Sequence, residues 1–191
     1  MDRRTYLKGI FAAGVLGTAS FSLFKWFDLN KPIDASALWD KKALIAEMAE
    51  MIIPRTDTPG AKDANVHTYI INVILNCNPV RQQHKFYYGL EDLEKYAQDQ
   101  YGKDFLKCDA SQKQSILEHS AKNAEYSNRI LNKINNKLLG QSFFSKLKSL
   151  TVEGYCLSMA GATQGLAYDY IPGKFEACIP LKPNQKSWAT K

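Results

Sequence analysis

PVRQQHKFYYGLEDLEKYAQDQYG, residues 79–102, is the stretch on which the fold turns. Its apolar positions Phe86, Leu90, Leu93, Ala97 and Tyr101 are spaced four, three, four and four apart. That spacing lines one face of an α-helix and matches no alternating strand. Pro79 suits a first helical turn, and Gly102 stands where a helix end favours a left-handed residue. A helix is therefore predicted over 79–101. Working towards the N-terminus, residues 66–75 carry Val66, Tyr69, Ile70, Val73 and Ile74 at helical spacing. Residues 34–53 do the same with Leu38, Leu44, Ile45, Met48 and Ile52, with Ser36 as N-cap and Pro54 as the stop. The run PRTDTPGAKDAN between these two helices is dense in turn formers, with Pro59 and Gly60 suited to a tight turn.

Towards the C-terminus, Asp109 followed by Gln112 has the spacing of a capping box and opens a helix to about residue 123. Further helices are predicted over 124–139, with Ile130, Ile134 and Leu138 inward, and over 142–158, with Phe143, Leu147, Leu150 and Leu157 inward. Strand-like alternation is scarce, so the fold class is all-α, a small helical bundle. After Met159 the periodicity is broken by Gly161, Gly165, Pro172, Gly173, Pro180 and Pro183. The result is a long, mostly irregular C-terminal tail. Its aromatics, Tyr168, Tyr170, Phe175 and Trp188, are too many for a free linker, so it is expected to pack on the bundle or on a partner. The chain then divides into 1–27, 28–158 (the bundle) and 159–191 (the tail).

The 191 residues suffice for one domain with a core and are short for a large cofactor-dependent catalytic fold. The net charge is +6, and half of it sits in residues 1–27, where Arg3, Arg4, Lys8 and Lys25 face Asp2 alone. What remains is too balanced for a nucleic-acid footprint. The first residues read M-D-R-R-T-Y-L-K, followed by an apolar run over 9–24. Arg3, Arg4, Tyr6, Leu7 and Lys8 in this order resemble the twin-arginine translocation signal, whose pathway exports folded proteins. As a helix the run would be about 24 Å long, short of the roughly 30 Å hydrocarbon core, which favours a signal over a full span. The bulky residues 23–27 offer no small-residue cleavage pair, so retention as an N-terminal signal/anchor helix is the other outcome. The expected location is the periplasm or the outer face of the cytoplasmic membrane.

Chemistry-bearing motifs are few. Cys77, Cys108, Cys156 and Cys178 are scattered and form no CxxC or CxxCH, so neither a zinc knuckle nor a c-type haem is signalled. They leave three internal disulfide pairings open, or an intermolecular bond from Cys178. His67, His84 and His119 each stand alone, outside any HExxH or ExxH pair. His67 is expected at the surface or as a cap, and the other two on solvated helix faces. Residues 28–191 contain no GxGxxG or P-loop pattern, so no FAD or NAD cradle is expected. Asp57 and Asp63 flank Gly60, but their spacing fails the calcium-loop pattern and turn formation accounts for them. Catalytic, cofactor-binding and metal residues are all expected to be none.

Two segments carry a resemblance. The first is MIIPRTDTPGA at 51–61, containing Pro54, Thr56, Asp57, Thr58, Pro59 and Gly60. The second begins LTVEGY at 150–155 and continues through Gly161, Thr163, Tyr168, Pro172, Gly173, Cys178 and Pro180. With the twin-arginine start, the chain resembles the gluconate 2-dehydrogenase subunit 3 family. The resemblance implies a non-catalytic accessory subunit that escorts a large flavin-dependent catalytic subunit of the glucose–methanol–choline type. FAD, with haem c or an iron–sulfur cluster, belongs to the partner subunits, among them a multihaem cytochrome c. The twin-arginine translocase and a membrane are further implied partners, and Cys178 is the implied candidate for an intersubunit disulfide. Ala177 stands before it where the family pattern leads one to expect glycine. Against this stand two other readings, a self-sufficient exported redox or metal-binding protein and an anchored structural protein without a dehydrogenase partner.

Overall fold

The computed structural model describes residues 32–123 and 141–168, together with residues 171, 173, 178, 180, 181 and 183–189 of the tail. Arg3, Arg4, Tyr6, Leu7 and Lys8, the expected helix over 124–139, and Pro172 lie outside the described residues. Among the described residues six α-helices follow one another: α1 Ala35–Asp40, α2 Lys42–Ile52, α3 Val66–Cys77, α4 Val80–Tyr101, α5 Ala110–Asn123 and α6 Phe143–Leu157. A short 3₁₀ turn, Phe105–Lys107, links α4 to α5, and a π turn, Gly161–Gly165, follows α6. No strand occurs among the described residues, and the architecture is all-α. No helix among them is long and apolar enough to cross a membrane.

The stripe that decides the fold is buried as read. Phe86, Leu90, Leu93 and Ala97 face the core, while Tyr101 is half-buried. Gly102 closes α4 at φ 64°, its amide donating to the carbonyl of Gln98 at 2.8 Å. The capping box also forms in full. Asp109 Oδ1 accepts from the Gln112 amide at 2.9 Å, and Gln112 Oε1 accepts from the Asp109 amide at 3.1 Å. The end of α3 is held by side chains. Asn78 Nδ2 donates to the Val73 carbonyl at 2.8 Å, and Gln83 Nε2 donates to those of Leu75 and Asn78 at 3.0 Å. These bonds satisfy carbonyls that a helix end leaves open, and they carry α3 to Cys77, two residues beyond its expected end.

Four expectations are corrected. The single helix over 34–53 is two, because at Lys41 the amide turns to the Leu38 carbonyl at 3.2 Å and the ammonium is held by Glu94 of α4. The N-cap of α1 is Asp34, whose Oδ1 accepts from the Ser36 amide at 2.9 Å; the carboxylate is a stronger acceptor than the expected serine hydroxyl. Leu157 points to solvent. Gly154 already faces Val66 and Tyr69 in the first turn of α3, so one residue turn later the opposing helix has run out. The tail does not begin as extended chain, because residues 159–165 continue helically into the π turn.

The core is built from Leu38, Leu44, Ile45, Met48, Val66, Ile70, Ile71, Ile74, Phe86, Leu90, Phe105, Ile116, Leu147 and Leu150. Fully burying one such leucine, isoleucine or phenylalanine stabilises the fold by ~1.5–3 kcal/mol relative to exposure. α6 packs against α3, α2 and α4, and its Leu147 and Leu150 are buried. Asp109→Ala removes the cap of the helix that covers Ile116, and urea denaturation should show a loss of about 1 kcal/mol. An unchanged midpoint would show that α5 does not depend on its capping box.

Candidate functional site

The 54–60 loop leaves α2 at Ile53 and is closed by the Ala61 amide, which donates to the Ile53 carbonyl at 2.9 Å. Beneath it lies the carboxylate of Glu50. Its Oε1 accepts from the Arg55 amide at 2.9 Å and its Oε2 from the Lys62 amide at 2.8 Å, so one side chain ties both arms of the loop. Gly60 passes directly over this carboxylate. A Cβ added there would lie 2.4 Å from Glu50 Oε1 and 2.7 Å from the Arg55 amide nitrogen. The Gly60 amide donates to Asp63 Oδ2 at 3.1 Å, and Asp63 also meets the Arg55 guanidinium at 3.5 Å. The expected tight turn is thus present, and Asp63 serves it as an acceptor.

The tip is ordered by its own hydroxyls. Thr56 Oγ1 donates to Asp57 Oδ1 at 3.0 Å and lies 3.3 Å from the Thr58 hydroxyl, while the Thr56 amide donates to the Thr58 carbonyl at 3.0 Å. Pro54, Thr56 and Asp57 are exposed, Thr58 and Pro59 half-buried and Gly60 buried. The motif therefore divides into a buried hinge and an outward tip.

Tyr155 joins this loop to the turn after α6. Its hydroxyl donates to the Pro59 carbonyl at 2.8 Å. Gly165 packs against the same ring, where an added Cβ would lie 2.4 Å from the hydroxyl oxygen. Gly161 lies under the Tyr155 carbonyl, and Ser158 Oγ donates to that carbonyl at 2.7 Å and accepts from the Gly161 amide at 2.9 Å. Thr163 is exposed and donates its hydroxyl to the Met159 carbonyl at 2.6 Å. Ala167 then pairs with the C-terminal stretch, donating to the Ser187 carbonyl and accepting from the Ala189 amide, both at 2.8 Å, in a parallel bridge to Trp188. Of the residues singled out in the sequence, Pro59 and Gly161 meet at Tyr155, and Gly60, next to Pro59, lies over Glu50. Tyr168, Gly173, Cys178 and Pro180 are exposed and outside that cluster.

Sequence reasoning missed Glu50 and Tyr155 as the two organisers. Tyr155 stood inside a quoted motif, and the neighbouring Gly161 and Gly165 were the signal that a ring needed room. It also misplaced the histidines. His67 is 7% exposed, and its Nδ1 is buried with no hydrogen-bond partner. His84 is buried and stacks on Tyr88 with ring centroids 5.7 Å apart. His119 is half-buried and lies parallel to Tyr96 at 3.9 Å. Each packs because a neighbouring element or an aromatic one turn away covers the ring.

The charges nearby are bound up in the fold. Lys113 Nζ donates to Glu47 at 2.6 Å and Lys62 donates to its other oxygen; these two ammonium groups hold the Glu47 carboxyl below its usual range. Burial and a bond to Glu153 Oε1 at 2.8 Å push the Tyr69 hydroxyl up to about 12. None of the four cysteines is disulfide-bonded within the chain; Cys77, Cys156 and Cys178 are exposed, and the buried Cys108 donates to the Asp104 carbonyl at 3.5 Å. Among the described residues no three His, Cys, Asp or Glu side chains converge as metal ligands. A cleft of about 450 Å³ opens between α4, α5 and α6, lined by Asp92, Tyr96, Asp99, His119, Ser142 and Phe143.

The family model described as gluconate 2-dehydrogenase subunit 3 matches residues 40–173. The chain belongs to this family. No curated protein and no solved structure matches it. The match to the gluconate 2-dehydrogenase subunit 3 family takes in the loop, Tyr155 and the π turn, whereas residues 1–27, Cys178 and Pro180 lie outside it.

Two outcomes follow from this geometry. Gly60→Ala should cost more than about 2 kcal/mol in thermal or urea unfolding, because its Cβ displaces the Glu50 carboxylate that ties the loop. His67 has its pKa lowered by burial and by the Lys42 and Lys62 cations. As pH falls through the ordinary histidine range, the unfolded chain takes up a proton that the folded one refuses, so stability declines. Between about pH 7 and pH 5, His67→Gln should therefore flatten the dependence of unfolding free energy on pH. Equal slopes in the two proteins would refute a neutral buried His67.

Proposed function

We propose that this chain is the non-catalytic small subunit of an exported, FAD-dependent sugar or alcohol dehydrogenase of the glucose–methanol–choline type. The observation that carries the reading is membership of the gluconate 2-dehydrogenase subunit 3 family over residues 40–173, which take in the first motif and the second as far as Gly173. The twin-arginine pattern at Arg3, Arg4, Tyr6, Leu7 and Lys8 supports the export half of it. In this reading the signal carries the folded catalytic subunit with it through the twin-arginine translocase, and the bundle stabilises that subunit by covering part of its surface. FAD, with haem c or an iron–sulfur cluster, resides in partner subunits, and a multihaem cytochrome c takes the electrons onward. The complex lies in the periplasm or on the outer face of the cytoplasmic membrane. The exposed Cys178 thiol is the proposed site of an intersubunit disulfide.

Mechanistically the small subunit contributes binding and an address. The loop and the π turn, fixed to each other through Tyr155, are proposed to stand on the partner side. In the intact complex, replacing Arg3 and Arg4 together with lysine should leave both this chain and the flavin subunit in the cytoplasm. Fractionation with flavin assay reads the result, and unchanged export of the flavin subunit would refute the escort role. A non-reducing gel of the complex, with and without Cys178→Ser, tests the disulfide by the disappearance of one cross-linked band.

A further inference from the structure

We draw no further inference here: the strongest candidate, the cleft of about 450 Å³ between α4, α5 and α6 lined by Tyr96, His119 and Phe143, carries its carboxylates, Asp92 and Asp99, exposed to solvent, and nothing in the structure shows what occupies it.

Discussion

Tyr155 donates its hydroxyl to the Pro59 carbonyl across 96 residues of sequence. A neutral hydrogen bond of this kind contributes only about 1 kcal/mol net, yet its geometric consequence is larger than its energy. It requires the ring to stand between the 54–60 loop and the π turn, which in turn requires glycine at 165, where a side chain would strike the hydroxyl. It also requires α6 to pass close enough to α3 for Gly154 to meet Tyr69 and Val66. Two segments that look like separate loops in the sequence are therefore parts of one rigid corner.

Glu50 plays the corresponding part on the other side. Both of its oxygens accept backbone amides, from Arg55 and Lys62, so the carboxylate sets the shape of the loop. The same holds for Glu47 between Lys62 and Lys113, and for Asp63 beneath Gly60. The acidic groups around the loop are acceptors for fixed donors. A rigid, outward tip of Thr56, Asp57 and Thr58 is what this arrangement presents to its surroundings.

Much of the fold was legible because periodic burial leaves a strong mark. The α4 stripe, its terminal glycine and the α5 capping box depend on residues within a few positions of each other, so local spacing suffices to read them. What was not legible depends on distant chain. Lys41 divides a helix because Glu94 holds it, and Leu157 is exposed because α3 begins where it does. The burial of His67 and His84 likewise comes from packing rather than from their flanking sequence. In the candidate site, the motif residues could be picked out as unusual, but the side chains that bring them together carry no local pattern. Glu50 reads as an ordinary helical glutamate and Tyr155 as an ordinary helical aromatic.

The four thiols bear on how such a fold is completed. Every layer of the bundle closes through apolar contacts, caps and ion pairs, and no covalent cross-link lies within the chain. These apolar contacts, caps and ion pairs need no cysteine pairing in order to form. The order of events is left open by the chemistry of the core: folding can be finished first, and any sulfur–sulfur bond to a neighbour made afterwards, on a surface already in place.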